Sequence, residues 1–429
     1  MIPPLLLLLL GGTPDTLKLS FDEALRLALR ASPVRAEVSA TRLQSATTLA
    51  QGVGWLLPSV SATLGYGRSE TRSLWKPDST YSERGWTGSL TVSQVVFDPA
   101  VFGTVVAALA NARAEAIQAQ DQAARLLYDV TVDYLGLLKA QWLSSAAAAA
   151  CQQADENYRL IQERERLGSA TRIDLLRAKA FRSQAEIELQ SANTALAIAQ
   201  ETFKATAGIT EDIPVVATET LTGPAQLRRD NADSLLAEIE CQNPGVAMAA
   251  KASAAAAAGV VGAAGRALPA LALRSSYSYS DTTFPCSRAA WAENDVVSYG
   301  ITATFPLLDL KSFVINLADA CGRYRRARAA ATQARLQLRS SAIAAILGYH
   351  DAQQRYESAR DNLELNQELY RLAQEQQRLG AMSLTDFFAV EANLAQAQVS
   401  YISALSDSYV QAAQINYLLG RTRPIDGQR

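Results

Sequence analysis

The sequence predicts a mainly α-helical chain with a small transmembrane β part, and three observations carry that expectation. The first is internal repetition: Tyr158-Arg159-Leu160, Gln162-Glu163, Arg166-Leu167-Gly168 and Asp174 recur 212 positions later as Tyr370-Arg371-Leu372, Gln374-Glu375, Arg378-Leu379-Gly380 and Asp386. Leu135-Gly136 with Leu347-Gly348, and Gly208 with Gly420, keep the same displacement. A duplicated unit of this size is far longer than the roughly 20 to 50 residues of a solenoid repeat, so two copies of a large element stand side by side. The second is a change of hydrophobic period from 3.6 to 2 after a proline stop in each half, which gives four strands per chain. The third is a pair of very long helical stretches, from Pro99 and from Leu310, that only single glycines interrupt.

Taken in order, Met1-Ile2-Pro3-Pro4, six leucines from Leu5 to Leu10 and Gly11-Gly12 form a short apolar run before small residues. Residues 1–15 are read as a secretory signal segment, although the usual positive charges before the run are missing. Residues 16–212 are the first repeat. Phe21 to Leu29 is a short amphipathic helix, Pro33 restarts it, and Pro58 stops the pattern after Trp55. Strands follow over about 59–67 and 86–97 with a loop from Arg68 to Gly85, and a long helical hairpin occupies 99–207. Pro214, Gly223 and Pro224 mark 213–230 as a linker.

The second repeat, 231–421, has the same plan. Leu235 to Glu240 is its short helix, Pro244 and Pro269 stand at the equivalent joints, strands fall at about 270–280 and 296–306, and the helical hairpin is 309–419. Residues 422–429 are a polar tail.

The strands are two-sided. Val60, Ala62, Leu64 and Tyr66 alternate with Ser61, Thr63, Gly65 and Gly67, and the other three strands alternate likewise. Apolar-out, hydroxyl-in segments of about ten residues suit transmembrane β-strands. Tyr66, Trp86, Tyr279 and Tyr299 are expected at the strand ends as membrane-interface aromatics. Four strands cannot stand alone in lipid, because open edges leave backbone groups unpaired, so other chains must complete a barrel. Its lumen, lined by Ser, Thr and Gly, is expected to be wet and unselective.

Composition narrows the function. Hydrophobic residues make up 49% but aromatics only 7%, the balance being largely alanine, which suits closely packed long helices. A net charge of −2 gives no basic footprint for nucleic acid. No later segment offers about 18 uninterrupted apolar residues, so no helical membrane span is expected. Cys151, Cys241, Cys286 and Cys321 are scattered without metal-like spacing, and no cofactor or metal is implied. His350 is the only histidine and lies within helical pattern without a nucleophile or carboxylate motif, so an enzyme is not expected.

At this point the chain resembles a known family. The duplicated halves, the Ala-Leu-Arg-Leu-Ala-Leu start with Ser32-Pro33, the Leu-Pro-Ser-Val segment from Leu57 to Val60, the strand exits Phe97-Asp98-Pro99 and Phe305-Pro306, and the Leu-Gly-x5-Asp turns are similar to those of TolC-type outer-membrane efflux proteins. The resemblance covers roughly residues 16 to 421. It implies a homotrimer with a shared twelve-stranded barrel in outer-membrane lipid and an α-helical coiled-coil barrel across the periplasm. It also implies passive export by a tripartite efflux or type I secretion system, with a periplasmic adaptor and an inner-membrane pump at the helix tips. The family assigns adaptor contact to Leu167, Gly168, Leu379 and Gly380, and the pore constriction to Asp174 and Asp386.

Read from residues alone, the tips are tight turns, with glycine at positive φ and leucine packed beneath, and each aspartate caps its returning helix. The chain departs from the family's gate pattern: Ala389 replaces a second aspartate, Met382 a locking arginine and Gln377 a latch tyrosine. Arg166, Arg172 and Arg378 could instead latch the tips by pairing with Asp174 or Glu375. The alternative to a channel is a soluble periplasmic coiled-coil scaffold or adaptor, which leaves the four aromatic-capped strands unexplained.

Overall fold

A computed structural model describes residues 16–73, 76–221, 223–227, 232–282, 284, 295–305, 310–379 and 381–421. The signal segment, the polar tail and Gly380 lie outside the described residues. The chain divides into two compact units, one of residues 1–40, 119–244 and 335–429, the other of residues 41–118 and 245–334.

The second of these, the strand unit, is built on one antiparallel sheet. Its members are β2 (Ser59–Ser73), β3 (Lys76–Phe97), β5 (Ala270–Asp281) and β6 (Asp295–Thr304), in the order β2-β3-β5-β6. Register places Tyr66 opposite Trp86, Leu90 opposite Tyr277 and Leu273 opposite Ile301, so the apolar positions of all four strands share one face. The other face carries hydroxyls, and pairs such as Thr63–Ser89 and Ser276–Ser298, each at 2.6 Å, bridge neighbouring strands.

The first hairpin is longer than the period-2 pattern suggests. Pairing continues past Gly67 and Gly85 to Arg72 and Thr80, where a loop is expected from sequence. β5 ends at Asp281, opposite Trp86, so β2 and β3 run on beyond it as a two-stranded ribbon. Strand preference depends strongly on context, and no glycine or proline interrupts Arg68 to Ser73.

The helices of this unit meet at small residues. They are α2 (Val34–Gly54), α6 (Pro244–Gly265) and the first part of α3 (Pro99–Arg166). A Cβ at Gly52 would overlap Ala108, and one at Gly103 would overlap the backbone of Gly262. Contrary to the sequence expectation, two helical stretches, Pro99–Arg166 and Ala232–Gly265, are long and apolar enough by composition to cross a membrane. The reason is their alanine, which counts as apolar while its small side chain serves close helix packing.

The first unit, the helical unit, holds β1 (Leu17–Leu19), α1 (Phe21–Ala31), the end of α3, α4 (Arg172–Ala207), β4 (Val215–Ala217) and α5 (Ala232–Gln242). The end of α7 (Leu310–Arg378) and α8 (Leu384–Leu418) complete it. α3 and α7 have 68 and 69 residues, each about 100 Å at 1.5 Å per residue. α1 starts in a capping box in which Ser20 N–H donates to Glu23 at 3.0 Å, and it buries Ala24, Leu25 and Ala28. Against them lie Val130, Tyr134 and Leu137 of α3, Phe203 of α4 and Val215 of β4. The expected linker is therefore partly ordered: β4 pairs in parallel with β1, Leu17 opposite Val215.

Candidate functional site

Both hairpin tips lie in the helical unit. α3 ends at a Schellman-type turn in which Gly168 takes φ 77° and the Ser169 N–H donates to the Arg164 carbonyl at 2.8 Å. At the end of α7 the equivalent bond runs from the Ala381 N–H to the Gln376 carbonyl at 2.9 Å. Leucine does not pack beneath either turn. Leu167 is 74% exposed and Leu379 83% exposed. The space beneath is already filled by Ile161, Leu175, Ala178, Ala373, Phe387 and Phe388, with Met382 packed at the margin of this cluster.

Asp174 and Asp386 are the third residues of α4 and α8. Asp174 N–H donates to Thr171 Oγ1 at 3.2 Å, and its carboxylate accepts from the Thr171 hydroxyl at 2.7 Å and N–H at 3.1 Å. These hydrogen bonds from Thr171 hold the Asp174 carboxyl below its ordinary pKa. Asp386 repeats the arrangement with Ser383, at 3.1 and 2.7 Å. Each aspartate thus caps its helix with its carboxylate held at the tip, where the helix dipole favours negative charge.

Arg166 and Arg172 pair with nearby glutamates instead of latching onto Asp174. Arg166 binds Glu163 at 3.1 Å, Arg172 reaches Glu165 at 3.7 Å, and Glu375 is taken by Arg371 at 3.0 Å. These are short-range partners on the same hairpin, and exposed pairs of this kind contribute about 0 to 1 kcal/mol. What ties one hairpin to the other is different. Arg177 Nη1 donates to Thr385 Oγ1 at 2.8 Å, Phe181 stacks on Phe388 at 4.7 Å, and Asn157 Nδ2 donates to Glu391 at 3.2 Å.

Glu391 is the residue the sequence reading missed. It is 8% exposed, and burial pushes its carboxyl up to about 7, the Asn157 hydrogen bond offsetting only part of that rise. The available signal was spacing: Glu391 follows Phe387 by four residues, which puts it on the helix face that carries the aromatic cluster.

In the strand unit, Tyr66 is 60% and Tyr299 86% exposed on the apolar face. Tyr66 and Trp86 rings lie 5.0 Å apart, and Trp86 meets Phe284 at 4.9 Å. Tyr66 and Trp86 do not stand at the ends of β2 and β3, which run on as the ribbon; they mark the level where β5 ends, and Tyr299, opposite Ser275, stands midway along β6 instead of at its end. Tyr279 shares their face but is only 2% exposed, with its hydroxyl donating to Asp281 at 3.1 Å. Its partner across the ladder is Gly88, which has no side chain to hold the ring away from the sheet.

A four-stranded sheet with an exposed apolar face and helical hairpins whose first arms approach 70 residues are the two features by which the fold can be compared with known structures. Solved structures agree in fold. The outer-membrane channel CmeC of Campylobacter jejuni matches with a TM-score of 0.81 and 15% identity over 95% of this chain and 87% of that one. VceC of Vibrio cholerae matches at 0.78 and 17% over 94% and 96%, and the open state of MtrE of Neisseria gonorrhoeae at 0.76 and 18% over 95% and 91%. Residues 235–421 match the family model described as outer membrane efflux protein. A search of curated proteins returned no match. Residues 235–421 thus resemble the outer membrane efflux proteins in sequence, and nearly the whole chain shares the fold of solved outer-membrane channels.

Proposed function

We propose that the protein is the outer-membrane exit duct of a tripartite efflux or type I secretion system, working as a homotrimer. The observation that carries this reading is the sheet itself. β2 and β6 are its open edges, every residue of β6 is exposed, and the apolar face presents Val60, Leu64, Tyr299 and Ile301 without cover. In hydrocarbon each unpaired backbone group costs several kcal/mol, so β6 of one copy pairs with β2 of the next and three copies close twelve strands. Tyr66 and Trp86 then lie at the lipid interface, Tyr299 faces lipid nearer the middle of the sheet, and Tyr279 stays packed against the sheet.

The helical hairpins extend into the periplasm, and their tips meet a periplasmic adaptor and, through it, an inner-membrane pump. Support for docking comes from Leu167 and Leu379, which stand exposed at equivalent positions at the ends of α3 and α7. Asp174 and Asp386, fixed by their caps, supply the negative charge of the constriction. The chain moves nothing by itself; energy comes from the pump. A soluble periplasmic scaffold would account for the helices but not for an uncovered apolar sheet.

Native mass spectrometry of protein extracted from outer membranes tests the reading. The expected particle is three chains and requires detergent. A monomer or dimer that is soluble without detergent would refute the shared barrel.

A further inference from the structure

The polar face of the sheet carries a charge that the expectation of an unselective lumen overlooks. Through the four-stranded region this face consists of alternate residues of Ser59 to Gly67, Gly85 to Ser93, Ala272 to Ser280 and Val296 to Thr304. These are serine, threonine, glycine, alanine and valine, with one ionisable residue among the described positions, Arg274. Register sets Arg274 opposite Ser93 on β3 and Gly300 on β6. A Cβ at Gly300 would meet nothing within 4 Å, so the space beside the arginine is open. Arg274 is exposed, and among the described residues no carboxylate pairs with it.

We infer that Arg274 is a specificity-determining residue, three copies of which form a positive collar inside the barrel that enriches anionic solutes, carboxylates and phosphate esters among them. The inference rests on the trimeric conduit reading. A guanidinium on the lipid side at mid-membrane would be strongly unfavourable, whereas the same group on the lumen side remains hydrated and its field reaches solutes in transit. Twelve strands about 4.8 Å apart and tilted about 40° close at a radius of about 12 Å. A solute in the lumen therefore passes within about 10 Å of each guanidinium, comparable to the Debye length of about 10 Å at 0.1 M salt. The neighbours of Arg274 on that face are Ser93, Gly300, Ala272 and Ser276, and among the described residues of the four-stranded region no acidic side chain shares the face with it.

The test is the reversal potential of the full-length protein in planar bilayers under a salt gradient, comparing wild type with Arg274→Ser, Arg274→Glu and Arg274→Lys. Three screened charges at this distance change the anion-to-cation permeability ratio by about fivefold at 0.1 M salt, and by more at 0.01 M, where the Debye length is about 30 Å. The expected result is a ratio that falls in the serine variant, falls further in the glutamate variant and is retained in the lysine variant, with differences that widen at low salt. Serine and lysine preserve the strand, so these two decide the matter if glutamate hinders assembly. Reversal potentials equal to wild type in the serine variant at both salts would overturn the collar. A wild-type trimer that forms no conducting pore would overturn the conduit reading instead.

Discussion

Replacing Glu391 by glutamine removes a buried charge from the contact between the two hairpins while keeping an acceptor for Asn157. Burial raises the carboxyl from 4.5 to about 7. That displacement corresponds to about 3 kcal/mol between the two protonation states. Its direction is fixed by linkage. Between the two values the folded protein holds a proton that the unfolded chain has released, so this contribution to stability is full below pH 4.5 and is lost as pH rises through about 7. Opening of the hairpin contact should therefore become about thirtyfold more frequent between pH 5.5 and 8. Amide hydrogen exchange of the detergent-solubilised protein, corrected for the intrinsic pH dependence of exchange, reads this in peptides around Asn157 and Glu391. Glu391→Gln should show a flat profile, with protection at pH 8 matching that of wild type at acid pH. A variant whose opening rises with pH as steeply as wild type would refute the assignment of the buried charge to Glu391.

Other consequences are equally direct. Gly103→Ala should destabilise the strand unit by about 1 to 3 kcal/mol because its methyl meets the Gly262 backbone, whereas Gly136→Ala, which meets nothing within 4 Å, should stabilise its helix by about 0.5 to 1 kcal/mol; thermal midpoints of the two variants should move in opposite directions. Gly168→Val places a β-branched residue at φ 77°, a strain of about 1 to 3 kcal/mol, and should abolish adaptor capture while native mass spectrometry still finds three chains. Asp386→Ala should lower cation preference in single-channel recordings; unchanged selectivity would remove Asp386 from the constriction.

How far the sequence could be read depended on whether the deciding interaction was local. The alternation of Val60 to Gly67 and the proline joints at Pro33, Pro58, Pro244 and Pro269 are local, and sheet and helices lie where they point. The ribbon beyond Gly67 was invisible because its residues are polar on both faces, and only backbone pairing defines it. Tyr279 could be placed on the apolar face but not recognised as buried, since Gly88 opposite it is known only from register. The tips divided in the same way. Caps at Asp174 and Asp386 follow from residues three positions apart, whereas the packing under the turns comes from both hairpins, and this leaves Leu167 and Leu379 outside. Arg274 was visible in the strand pattern throughout; its isolation required the register of the other three strands of the sheet.

The pairing of β1 with β4 also bears on the order in which the protein can be made. Leu17–Leu19 and Val215–Ala217 bracket almost the whole first repeat, and among the described residues the core they cover is drawn from positions up to Leu221. During synthesis this nucleus lacks its last strand until Val215–Ala217 arrives. Closing so long a loop is slow compared with forming the helices inside it. The stitch thus sets the point in synthesis after which the core around α1 can close, while β3 still waits for β5.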